Sequence, residues 1–110
     1  MKPRKLNIKT IPAQDVNRAY RFWRDVFDLP QSGHASGRHL MIDGDDIIFV
    51  AGESTDQLEM LIRDHQDELK QHLRNNFIPI VGKPEPRFGN KIAFKIHDSE
   101  GNLITLEANQ

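Results

Sequence analysis

The chain has no cysteine, which excludes disulfides, thiolate metal ligands and cysteine nucleophiles together. It has no apolar run approaching the ~18 residues of a membrane span, and no hydrophobic stretch follows its basic start at Lys2, Arg4 and Lys5. No membrane association is expected, and the expected location is cytoplasmic. Charge of one sign is also missing. Fifteen basic and sixteen acidic residues leave a net charge of -1, so there is no global attraction to nucleic acid or to an anionic surface. Glycine-rich phosphate loops and serine elbows are absent, so nucleotide-binding and hydrolase chemistry have no motif to stand on. What is present suits one soluble-type domain over 1–110, with 37% hydrophobic and 28% charged residues. The apolar share is modest, and burial between two copies would extend the core.

Two helices stand out. In DVNRAYRFWRDVFDLP, Asp15 is a good N-cap and Val16, Ala19, Tyr20, Trp23, Val26 and Phe27 recur on one face until Pro30. In DHQDELKQHLRNNFIP, Asp64 is the expected cap and Leu69, Leu73 and Phe77 repeat every four residues. LNIKTI reads as a strand before the first helix. QLEMLI alternates before the second, with Leu58, Met60 and Ile62 on one face.

The two halves share a plan. Asp15 precedes Pro30 by the same fifteen residues that separate Asp64 from Pro79. RHLMID and DIIFVA flank the turn Asp43-Gly44-Asp45, and KIAFKIH and NLITLE flank Asp98-Ser99-Glu100-Gly101. Strand, helix and at least two strands, written twice, point to an internal duplication, with module one at about 1–54 and module two at about 55–110. The segment from Gly82 to Gly89, broken by Pro84 and Pro86, reads as a loop.

AQDVNRAYRFWRDVFDLP resembles the first helix of the glyoxalase / bleomycin-resistance / extradiol-dioxygenase (vicinal oxygen chelate) superfamily, and HDSEGNLITLE resembles its closing turn and last strand. The resemblance implies an α+β fold: two βαβββ modules forming a half-open, barrel-like mixed sheet around a cavity, helices packed outside. In the family's enzymes a divalent metal sits in that cavity as Lewis acid. Carried over by counting from the capping aspartates and the last strands, its ligand positions fall on Ile8, Phe49, Gln57 and Thr105. Two of these side chains cannot coordinate and two are neutral, weak donors, so no metal or other cofactor is expected.

With Thr105 inward, period two brings Glu107, and Gln57 brings Glu59. The expected cavity lining is His39, Met41, Phe49, Gln57, Glu59, Thr105 and Glu107, a ligand-binding set with no catalytic residue among them. His34, His65, His72 and His97 read as solvated, and Tyr20 and Trp23 as core. The resemblance, with its metal ligands missing, implies binding of a small organic molecule, as in sequestration, by a homodimer that is not an enzyme. A divalent-metal lyase, isomerase or dioxygenase with ligands relocated to His39, Glu59 and Glu107 is one alternative. A non-catalytic interaction subunit is the other.

Overall fold

The computed structural model describes residues 1–33 and 37–110. His34 therefore lies outside the described residues. The strands and helices are, in order, β1 (Pro3–Leu6), β2 (Thr10–Ala13), α1 (Val16–Val26), β3 (Leu40–Ile42), β4 (Asp45–Ala51), β5 (Leu58–His65), α2 (Gln66–Asn75), β6 (Val81–Arg87), β7 (Lys91–His97) and β8 (Leu103–Asn109). They make two open mixed sheets, β2-β4-β3 and β1-β5-β8-β7-β6.

Both sheets repeat one topology. A strand leads through a helix into a parallel partner, β2 beside β4 and β5 beside β8, and that partner also pairs antiparallel with the strand before it. The second sheet continues into β6. In the first, among the described residues, Gln31 makes only an isolated bridge to Leu40 at the matching edge. The expected single strand LNIKTI is instead two, because the chain leaves the second sheet after Leu6 and enters the first at Thr10.

Asp15 caps α1, its Oδ1 accepting the Arg18 N–H at 3.1 Å. Ala19, Tyr20, Trp23 and Val26 turn inward, and Trp23 meets Phe27 edge-on at 4.9 Å. The cap of α2 is His65 rather than Asp64. Its Nδ1 accepts the Asp67 N–H while Glu68 accepts the His65 N–H, each at 3.1 Å, a reciprocal capping box. Asp64 belongs to β5 and accepts the Lys2 N–H at 2.7 Å. Leu69 and Leu73 are buried, but Phe77 lies past the helix end at φ 58° and is 91% exposed. His72 is not solvated: its Nε2 sits 2.5 Å from the Val26 carbonyl and ties α2 to the end of α1.

The Gly82–Gly89 segment is not a loop for most of its length. Residues 81–87 form β6, the sheet's outer strand, which explains how it tolerates Pro84 and Pro86: an edge needs no partner for every amide. The core is one cluster joining Ile11, Leu40, Ile47 and Phe49 of the first sheet with Leu58, Met60, Ile96 and Leu106 of the second, beneath α1 and α2. Burying each such side chain contributes about 1.5–3 kcal/mol before conformational entropy is counted. No helix among the described residues is long and apolar enough to cross a membrane.

The turn between β7 and β8 fastens the two halves together. Asp98 accepts hydrogen bonds from the Trp23 indole at 3.0 Å, from the backbone N–H of Glu100 and Asn102 at 2.8 and 2.9 Å, and from the Asn102 side chain at 2.8 Å. Glu100 accepts from the N–H groups of Gln14 and Asp15 at 3.0 and 2.8 Å, at the entry of α1, and from Arg18 Nε at 2.7 Å. The Arg18 bond, helped by the Asp15 N–H and the Ser99 hydroxyl, outweighs burial and holds the Glu100 carboxyl down at about 2. Gly101 closes the turn at φ 83°, a left-handed conformation that strains other residues.

Candidate ligand-binding face

Along β5 the side chains of Leu58, Met60 and Ile62 are buried, while Glu59 and Arg63 face out with the half-buried Leu61 between them. That alternation defines an open side of the second sheet. Strand pairing carries it across: Lys5, Leu61, Glu107, Ala93 and Glu85 stand opposite one another in one row, and Glu59, Thr105 and Lys95 in the next. Opposed residues share a face, so these side chains form one surface.

Asn7 braces its corner. Its Nδ2 donates to the Gln57 carbonyl and its Oδ1 accepts the Glu59 N–H, both at 2.8 Å, and its own N–H reaches the Glu59 carbonyl at 3.1 Å. A cleft of about 250 Å³ opens beside it, lined by Lys5, Asn7, Glu59 and Leu61. The Lys5 side chain makes no hydrogen bond or ion pair among the described residues.

Arg87 ends β6, yet its Nη1 lies 3.8 Å from Glu59 of β5 and 4.0 Å from Glu107 of β8. Since β7 and β8 separate β6 from β5, the side chain must lie across the open face. Arg87 and the Lys95–Glu85 pair, 3.9 Å apart, share this face with Ala93 and Thr105, which are 2% and 9% exposed on a side that otherwise faces solvent. Both Arg87 ion-pair distances exceed hydrogen-bonding range, so this roof is loosely held. Beneath it, the Thr105 hydroxyl makes no side-chain hydrogen bond among the described residues.

Of the expected lining, Glu59, Thr105 and Glu107 are brought together here. Gln57 precedes β5 and is exposed, its amide turned to Asp56 at 2.6 Å. Met41 lies on the first sheet opposite Asp46, and His39 precedes that strand with Nδ1 3.6 Å from the Asp46 carboxylate. Phe49 does not line the open side. It is buried beneath α1, edge-on to Tyr20 at 6.3 Å and to Trp23 at 6.0 Å. Thr10 is exposed and pairs with Ile48 on the side of the first sheet turned from the core, as the exposed Glu59 pairs with Thr105 on that side of the second. Ile48 is thus the counterpart of Thr105. The expectation slipped by one residue because Ile47-Ile48-Phe49-Val50 is apolar throughout and has no alternation to read. Lys5 and Arg87 have no local signal either, since only strand pairing brings them to this face.

The metal implied by the family resemblance finds no donor set. Ile8 is half-buried against the core, Phe49 lies within it, and Thr105 stands beside Glu59 with Arg87 already between the carboxylates. Among the described residues no three or more His, Cys, Asp or Glu converge as metal ligands. His39 is not grouped with Glu59 and Glu107, so that relocated set is not assembled.

No protein-family model and no curated protein matches the sequence. Solved structures do match. An integron cassette protein from the V. cholerae mobile metagenome superposes with a TM-score of 0.75 at 18% identity, covering 100% of this chain and 98% of that one. Lactoylglutathione lyase from Agrobacterium tumefaciens gives 0.70 at 17% identity, over 90% and 89% of the two chains. The fosfomycin resistance protein FosX from Listeria monocytogenes, determined with Mn(II) and sulfate, gives 0.67 at 18% identity, over 92% and 86%. At such identities the likeness is one of fold, and this α+β chain with its two open mixed sheets has the fold of the vicinal oxygen chelate superfamily.

Proposed function

We propose that the chain binds a small organic molecule on the open side of the second sheet without a metal ion, as a sequestering or carrier protein. The observation that carries this reading is the Arg87 roof. A long cation is drawn across three strands and held at 3.8 and 4.0 Å over a nearly buried, unbonded threonine, with a cleft at its margin. A surface committed only to solvation has no need to cover a threonine and an alanine, and loosely held charges are easily exchanged for those of a ligand.

The protein works as a homodimer in this reading. Phe88, at the turn after β6, is fully exposed and Phe77 is 91% exposed, apolar area that a second copy would cover. Sedimentation as a monomer in dilute solution would count against it.

The test is a set of thermal melts on chelator-treated protein, with nickel, zinc, manganese or iron in one series and a small-molecule library in the other. Ligands that bind the folded state raise the melting temperature by mass action. Shifts with organic compounds and none with metals are expected. Near-stoichiometric metal with a clear rise would favour a metal-dependent lyase, isomerase or dioxygenase instead.

A further inference from the structure

We infer, on the basis of the small-molecule reading above, that the ligand is a small amino-acid-like zwitterion, its ammonium seated at Glu59, Thr105 and Glu107 and its anionic group held by Lys5. Three features of the open face lead to this assignment.

The first is the opposition of charge across one cleft. Lys5 and Glu59 both line it, and because Lys5 pairs with Leu61 it is a diagonal neighbour of Glu59, about 7–8 Å away between Cα atoms. The Lys5 side chain has no hydrogen-bond or ion-pair partner among the described residues. A purely cationic or anionic ligand would satisfy one wall and be repelled by the other. The volume of about 250 Å³ lies below the range of drug-sized pockets and suits a compound of amino-acid size.

The second feature is what Arg87 does when no ligand is there. One guanidinium nitrogen lies between two carboxylates that come from different strands, at distances too long for hydrogen bonds. Two anions converging on one cation define a cation position, and Arg87 fills it poorly from a distant edge strand. A primary ammonium entering from the cleft can reach hydrogen-bonding distance, and Arg87 then turns to solvent. Exposure of the Glu59 side chain, at 57%, leaves that route open.

The third is Thr105. It is 9% exposed, it stands directly opposite Glu59, and its hydroxyl has no hydrogen bond among the described residues. An ammonium group carries three donors, and Glu59, Glu107 and the Thr105 hydroxyl are three acceptors. The Thr105 hydroxyl keeps a free acceptor on the face that an entering ammonium would reach. Leu61, on the same face, meets the ligand's apolar part.

The test is amide-resolved NMR titration of the intact protein with L-leucine, with 3-methylbutan-1-amine, which lacks the carboxylate, and with 4-methylpentanoate, which lacks the ammonium. Leucine is expected to shift the amides of Lys5, Asn7, Glu59, Leu61 and Thr105, with each single-charge analogue binding at least tenfold more weakly. Glu59→Gln and Lys5→Met, both at exposed positions, are expected to bring leucine down to the level of the analogue that lacks the matching charge. Arg87→Met is expected to strengthen leucine binding, because the competing internal cation is gone. Weakened binding in Arg87→Met would overturn the placement of the ammonium. Equal binding of all three probes, or neutral library compounds binding this face while leucine does not, would overturn the zwitterion assignment and leave the small-molecule reading standing. No shift at these amides with any probe or library compound would sink both.

Discussion

On the first sheet, the side turned from the core presents Thr10, Pro12, Met41, Ile48 and Val50; on the second, the matching side presents Glu59, Leu61, Lys95, Thr105 and Glu107. The core-facing residues of both are apolar and interchangeable in kind. The hairpin turns differ in the same way. Among the described residues, Asp43 and Asp45 make only exposed ion pairs, with Arg63 at 3.5 Å and Lys9 at 3.6 Å. Asp98 and Glu100 are 7% and 4% exposed and hold the indole of Trp23 and the entry of α1. The two sheets therefore share a backbone plan and a packing pattern, while their open faces and turns differ in charge and in contacts. The second module carries both the charged face and the clasp on the first helix.

The sharpest way to break this comparison is at Phe49, the residue whose direction separates packing from lining. If it is core, Phe49→Ala should cost about 3–5 kcal/mol in urea denaturation. A cost below about 1 kcal/mol would mean that Phe49 faces the open side and that the two sheets are out of register with one another.

The clasp gives the next largest effect. Because the Glu100 carboxyl is held below its ordinary value of 4.5, at about 2, its stabilisation is complete above the ordinary value and is lost as pH falls toward the lower one. Glu100→Gln should lower stability by about 1.5–3 kcal/mol at neutral pH. It should also flatten the acid limb of the stability profile between those two values, whereas Asp45→Asn should leave the limb unchanged. Stability–pH curves of the two variants decide it.

The smallest effect sharpens the contrast between the open faces. Val50, 39% exposed, occupies the place that Glu107 holds in the second sheet. Val50→Glu should change stability by no more than about 0.5 kcal/mol, and a larger loss in thermal melts would show that the first sheet's open face is covered.

Much of this molecule was legible in its sequence because the signals were local. Asp15 followed by apolar residues at helical spacing specifies α1, since the cap and the stripe act within a few turns. The alternation of Leu58, Glu59 and Met60, with Arg63 resuming it after Leu61 and Ile62, gives β5 its two faces, and strand pairing brings Glu59, Thr105 and Glu107 to one side. The four-residue apolar run of β4 offers no such phase, so only packing against Tyr20 and Trp23 shows where Phe49 points. Pro84 and Pro86 exclude a central strand and say nothing of an edge. The division of residues 3–13 between two sheets, which sets Lys5 beside Leu61, and the reach of Arg87 to Glu59 depend on strands far apart in the chain. Helix caps, alternation and turns act between near neighbours and are determined by the sequence itself. Which edges meet, and so which charges face each other over Thr105, was decided by the tertiary pairing of strands, where the entropy of closing long loops is repaid only by the finished core.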